Sequence, residues 1–344
     1  MNDVGIVFDI DGVLMHDWHA IGQSDAALRR VKEQLRLPFV FVTNGGGVPE
    51  PAKQAALAQL LGIDVDVDQV ILCHTPFRAH LEQRRAPHCV VAVGLSCERA
   101  RACARAYGVP DTHIVTLAEI ADACPELVVP EKRSAAQRDT FERRRAAGEA
   151  RVWPFGVISH VLVFEEPHDW QVGIQLLCDV VNSPTGSPFE PRRADDDTQY
   201  VTVLLSNPDV SYRGTHSEPR LTCGAFGLAL RLLFERLTHR PLAMTHTGKP
   251  EPPLFRWALR MLEQQRPPGA PPLRRIYVVG DNPLSDIAGA VAMRGEGDAR
   301  WRGLLVRTGN FRGTDEQGLA HGAHEVCADV SAAIDAIVRL EVLA

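Results

Sequence analysis

The chain reads as an α/β protein, an open parallel sheet split by an inserted second α/β unit. Three observations predict this. Near-continuous apolar runs of strand length alternate with helical stretches, as in a parallel sheet covered on both faces. That alternation is clear at the two ends of the chain and changes in between. The 344 residues, 45% of them hydrophobic, suffice for two cores.

The elements follow in order. "VGIVFDID" is the first buried strand and "AALRRVKEQL" an amphipathic helix. "LPFVFVTN" is a second strand. "PEPAKQAALAQLLG" is a helix with prolines at its start, where no N–H is missed, and Gly62 just past its end. "DQVILCH" is the third strand. From residue 80 to 243 the pattern shifts: "CVVAVG", "SHVLVF" and "YVTVLLSN" are strands, and "DWQVGIQLLCDVVN" is a helix. The stretch 183–199 is rich in Pro and charge and reads as a surface loop. Its Asp195–Asp197 run reads as solvated, with cation binding as the alternative. "EPPLFRWALRMLEQQ" (helix), "RRIYVVGDN" (strand), "LSDIAGAVAM" (helix) and "WRGLLVRTG", the last clear strand, restore the first pattern. The expected domains are 1–79 and 244–344 for the interrupted sheet and 80–243 for the insertion.

The formal charge is −6 and the pI about 6.1, without a basic stripe, which argues against nucleic acid. No run approaches the roughly 18 apolar residues of a membrane span. "MNDVGIVFD" has neither a signal peptide's regions nor a transit peptide's Arg-rich helix. Eight cysteines without a CxxC pair are expected to be reduced thiols of an intracellular protein.

Ligands of open parallel sheets bind beyond the carboxyl ends of the strands, so the residues there matter most. The first strand ends in Asp9 and Asp11, and the second in Thr43, Asn44 and Gly45. "VVGDNPLSD" supplies Asp281 and Asp286, and "MTHTGKPEP" supplies Lys249. Each has an ordinary reading as a turn, a helix start or a surface lysine. Their joint occurrence at strand ends does not. Clustered carboxylates need a cation, and an oxygen-only set without His or Cys points to Mg²⁺. With lysine, Mg²⁺ makes a pocket suited to phosphate. Asp9 is then the nucleophile forming an aspartyl-phosphate, and Asp11 the general acid and base. Thr43, Asn44, Gly45 and Lys249 form the phosphate-binding set. Asp281 ligates the metal, with Asp286 beside it.

"FDIDGVL", "VTN", "GKPEP" and "GDNPLSD" together resemble the four motifs of the haloacid dehalogenase (HAD) superfamily. The resemblance implies a Rossmann-like core and the roles above, and adds that Asp11 ligates metal through its backbone carbonyl. The insertion after the third strand corresponds to the family's C2 cap. "LLSNPDVSY" and "CGAFGLALRLLFERLTHRPLAMTHTGKPEPPLF" resemble the NagD-like subclass IIA. "VTNGGGVPEPAKQAALAQLLGIDVDVDQVILCHTPFR" is similar to the eukaryotic cat-eye-syndrome-region-type branch, which has mitochondrial members. Related sequences often carry Arg-Gly after the first motif where this chain has His16-Asp17.

Dehalogenation needs neither a metal nor Asp11, and family ATPases and phosphonate hydrolases differ at the Asp11 position. The expected function is a Mg²⁺-dependent phosphatase of small phosphorylated metabolites. The alternative is a binding or scaffold protein with little turnover, although no catalytic group is missing. A homodimer and a cytoplasmic or mitochondrial location complete the expectations. "SNPD" (206–209) is expected to face the sheet edge of the core. The glycines of "GAFGLAL" are read as close packing, and His160, His168 and His216 as histidines without a ligand role.

Overall fold

A computed structural model of the chain describes residues 3–82, 88–190, 192–193, 195–212 and 218–342. Eleven parallel strands form two sheets. They are β1 (Val4–Phe8), β2 (Phe39–Thr43), β3 (Val70–Leu72), β4 (Cys89–Val93), β5 (Ile114–Thr116), β6 (Ile158–Val163), β7 (Thr202–Leu205), β8 (Met244–His246), β9 (Arg275–Gly280), β10 (Trp301–Val306) and β11 (Glu325–Cys327).

The core sheet has the order β11-β10-β9-β1-β2-β3. All five residues of β1 are buried, which is why the strand is apolar throughout rather than alternating. Its side chains still divide by period two. Ile6 and Phe8 pack with Phe41, Val279 and Ile334 on one face. Val7 packs with Val40, Phe255 and Trp301 on the other. The helix Glu50–Leu61 begins with Pro51 inside its first turn and ends at Gly62, whose φ of +59° supplies the left-handed cap.

The cap sheet has the order β8-β7-β6-β4-β5 and is inserted between β3 and β9. It also has two apolar faces, one around Val91, Val161, Val163 and Phe226, the other around Val90, Leu162, Phe164 and Phe77. Gly224 and Gly227 are close-packing positions as expected: an added Cβ would lie 2.2 Å from the Pro208 carbonyl oxygen and 2.5 Å from Leu205, respectively.

The structure extends the sequence reading in three places. Phe77 and Leu81, on the helix Phe77–Glu82, pack against the cap sheet, so the cap's packing starts ahead of residue 80. The strand β8 pairs with β7, so that sheet also runs past residue 243, through His246. The strand β11 adds an edge beyond the strand that looked like the last. The two crossings between the sheets lie side by side, with the buried Thr247 hydroxyl donating to the Cys73 carbonyl at 2.7 Å.

The remaining candidates have ordinary roles. Asp195, Asp196 and Asp197 pair with Arg193, Arg192 and Arg240, so their charge is met by arginine. His160 contacts the Ser159 hydroxyl, His168 is exposed, and His216 lies outside the described residues. Among the described residues, the cysteines form no disulfide. Among the described residues, no helix is long and apolar enough to cross a membrane.

Candidate active site

The strand order reverses at β1 and β9, since the chain builds outward from β1 through β2 and β3 and then returns to β1's other side. That reversal opens a crevice at the carboxyl ends of the two strands. Asp9 follows β1 directly. Its Oδ1 accepts from the Ile10 amide at 2.8 Å and from the Lys249 ammonium at 2.6 Å, which leaves Oδ2 unclaimed by these donors. Gly12, at φ +82°, then turns the chain, and its amide donates to the Met15 carbonyl at 2.8 Å. This turn leaves Asp11 exposed, in the same cavity as Asp9.

Thr43 closes β2, and its hydroxyl oxygen accepts from the Gly45 amide at 2.9 Å. Asn44 joins three parts of the molecule. Its Oδ1 accepts from the Lys249 amide at 2.7 Å, and its Nδ2 donates to the Lys249 carbonyl and to Asp209 of the cap, both at 2.9 Å. The "SNPD" segment therefore faces the core. Gly248 allows this close approach, because a Cβ there would meet the Ser206 carbonyl at 2.4 Å and Asn44 at 2.7 Å.

Asp281 ends β9 and accepts from the Asn310 side-chain amide at 2.8 Å. Asp286 lies in a wide helical turn, Pro283–Ile287, of the sort often found at functional sites. It accepts from Lys249 Nζ at 2.7 Å and from the Asn282 amide at 3.0 Å. Asn310 and the glycines that crowd these carboxylates were not singled out in the sequence. A Cβ on Gly309 would meet Asp281 Oδ2 at 1.9 Å, and one on Gly280 would meet Asp286 at 2.2 Å. Their only signal was a Gly beside a polar residue at a strand end.

Three buried carboxylates thus face one ammonium. Burial, then the neighbouring Asp281, raises Asp9 to about 7 against the pull of Lys249. Burial, then Asp9, raises Asp286 to about 7, and burial, then Asp286, raises Asp281 to about 6. Burial alone would lower the Lys249 ammonium, but Asp286 and Asp9 more than reverse it. Ligand oxygens of Asp9, Asp281 and Asp286 lie within 4.8 Å of one another. Hard oxygen donors with uncompensated charge fit a divalent cation such as Mg²⁺. The Asp11 carboxylate lies outside this cluster.

The cavity, about 870 Å³, is shared between the two sheets. The core contributes Asp9, Asp11, Thr43 and Lys249, and the cap contributes Glu165, Glu166, Asn207, Asp209 and Tyr212.

Residues 6–110 match the haloacid dehalogenase-like hydrolase family, and residues 246–333 match a second HAD-hydrolase-like family. The two matches enclose the four motif segments and the start and end of the cap, and the chain belongs to the HAD-like hydrolases. It is 28% identical over 333 residues to a mitochondrial hydrolase of Saccharomyces cerevisiae, covering 91% of this chain and 89% of that one. A p-nitrophenyl phosphatase from Archaeoglobus fulgidus shares the fold at a TM-score of 0.57 and 16% identity, over 96% of this chain and 98% of that one. So does a glycerol phosphate phosphatase from Mycobacterium tuberculosis solved with magnesium, at a TM-score of 0.54 and 19% identity, over 89% and 68%.

Proposed function

We propose that the protein is a Mg²⁺-dependent phosphatase of small phosphorylated metabolites. One observation carries this reading: Asp9, Asp11, Thr43 and Lys249 line one cavity at the switch point of the core sheet. Asp9 Oδ2 attacks phosphorus while Oδ1 stays held by the Ile10 amide and Lys249. The P–O ester bond breaks, and the leaving oxygen takes a proton from Asp11. In the second step Asp11 removes a proton from water, which attacks the aspartyl-phosphate and frees Asp9 and inorganic phosphate. Asp11's exposure in the cavity, away from the three packed carboxylates, suits a group that must exchange protons. The Thr43 hydroxyl donates to a phosphoryl oxygen, with Asn44 and Gly45 beside it in the phosphate-binding set, and Lys249 balances the charge of Asp9 and the bound phosphate. Asp9, Asp281, Asp286 and the Asp11 backbone carbonyl would hold Mg²⁺, which when bound supplies further neutralisation of phosphoryl charge.

Two supports narrow the substrate and the place. The cap covers the cavity, which favours small esters over phosphoproteins. A matched relative is named as mitochondrial, which supports the mitochondrial member of the two expected locations. The test is phosphate release from a panel of phosphorylated metabolites with and without Mg²⁺, beside Asp9→Asn. Release that needs both Mg²⁺ and Asp9 is the expected result. Equal, weak release from both proteins would overturn the reading.

A further inference from the structure

Lys53 stands apart from the catalytic cluster but opens onto the same cavity. It lies on the helix Glu50–Leu61 and is only 8% exposed, yet it makes no hydrogen bond or ion pair with any described residue. Its stem is packed away, but its Nζ is not among the buried atoms left without a partner, so the ammonium opens to the cavity. Its one close neighbour of note is Trp18, whose ring centroid lies 4.9 Å from Nζ.

Trp18 is itself held in a costly position. Asp17 (φ +44°) and Trp18 (φ +63°) form the two-residue turn between the short strands Met15–His16 and His19–Ala20. Such turns ordinarily take Asn-Gly or Asp-Gly because both residues need positive φ. A bulky aromatic there costs on the order of 1 kcal/mol, a strain that persists mostly at ligand sites. A cation open to the cavity and a strained aromatic are thus brought together at one cavity wall.

The cap side of the cavity is acidic: Glu165, which pairs with Arg99, Glu166 and Asp209 line it. Among the described residues, the lysines and arginine lining the cavity are Lys249, which the carboxylates already engage, Lys53 and the exposed Arg312. We propose that Lys53 receives a second anionic group of the substrate, a carboxylate or a phosphate that is not transferred. Preferred substrates are then phosphomonoesters of acids, or bisphosphates. This inference rests on the phosphatase reading above.

Matched substrate pairs test it with Mg²⁺ present: phosphoglycolate against ethyl phosphate, and fructose 1,6-bisphosphate against fructose 6-phosphate. The first pair reads a carboxylate and the second a phosphate. A charge-assisted contact predicts a kcat/KM preference of about ten-fold or more for the member with the second anionic group in at least one pair. In Lys53→Gln that preference collapses, mainly through KM, and Lys53→Arg restores part of it. Trp18→Ala serves as the control for a merely structural role. Equal losses on both members of each pair in Lys53→Gln and Trp18→Ala, from folded protein, would overturn the assignment. So would a preference unchanged in Lys53→Gln, or no preference in the wild type. Absence of all hydrolysis by the wild type would instead sink the phosphatase reading, and this one with it.

Discussion

Two buried polar clusters in this molecule are built on opposite principles. At the switch point, Asp9, Asp281 and Asp286 share the single ammonium of Lys249, and all three are raised above the ordinary carboxylate range. At the joint between core and cap, Glu50 stands alone among donors. Its Oε1 accepts from the Tyr107 hydroxyl at 2.8 Å and the Thr75 hydroxyl at 2.9 Å, and its Oε2 pairs with Arg78 at 3.2 Å. Burial works to raise Glu50, but His74, Arg78 and these hydrogen bonds hold it below its usual value. His74 is itself pushed down to about 4 by burial and is neutral at pH 7, so Arg78 and the hydroxyls do that work under physiological conditions. In one cluster the carboxylate is met by donors on both oxygens and joins two domains. The other is left short of positive charge, and that deficit is what a cation and a phosphate can fill.

Breaking the comparison at its active end gives the largest effect. Asp9→Asn removes the nucleophile and is expected to lower phosphate release by at least about 10³-fold. It also removes a like charge from the cluster, so the metal-free variant should melt no lower than the wild type in a thermal scan. At the structural end the outcome reverses. Glu50→Gln should cost about 1–3 kcal/mol in denaturant unfolding, an effect moderated because Arg78 is partly exposed. Its kcat should change far less than that of Asp9→Asn.

Metal sharpens the contrast more gently. Mg²⁺ at about a hundred times its Kd should add about 2.7 kcal/mol to stability. EDTA should reverse the rise in Tm, and Asp281→Asn should abolish the response. The smallest effect is in the pH profile of metal-free protein. Asp9 and Asp286, near 7 when folded and 3.8 when unfolded, bind more protons in the native state, so their contribution falls as pH rises from about 4 to 7. Glu50 has the opposite sign. Its contribution is present above its unfolded value of 4.5 and lost as pH falls through the lower folded value. Asp286→Asn should flatten the first limb and Glu50→Gln the second, read as Tm against pH.

Much of this was legible in the sequence because the core strands are buried on both faces. Continuous apolar runs such as "VGIVF" and "FVFVT" announce themselves, and a polar residue where the run stops marks the sheet's carboxyl edge. The missed strands are short. Ile114–Thr116, Met244–His246 and Glu325–Cys327 have three residues each, too few to show a period, and they are strands only because a neighbour offers a ladder. Glu50 and Lys53 belong to no motif in the sequence. Their partners, Tyr107 on the cap and Trp18 in an upstream hairpin, are distant in sequence, so only tertiary packing reveals what surrounds them.

The edge strand β8 has a practical meaning for anyone who would exchange caps between relatives. It belongs to the cap sheet by pairing, yet it ends three residues before Lys249, with Thr247 and Gly248 wedged against Cys73, Ser206 and Asn44. A chimera cut at residue 243 would leave this strand to pair with a foreign sheet. A slip of one residue in that pairing would shift the chain by about 3.3 Å and carry the lysine out of register with Asp9 and Asp286. The splice that respects this wiring runs from before Phe77 through His246, so that the cap travels with its own edge strand and the catalytic loop stays with the core.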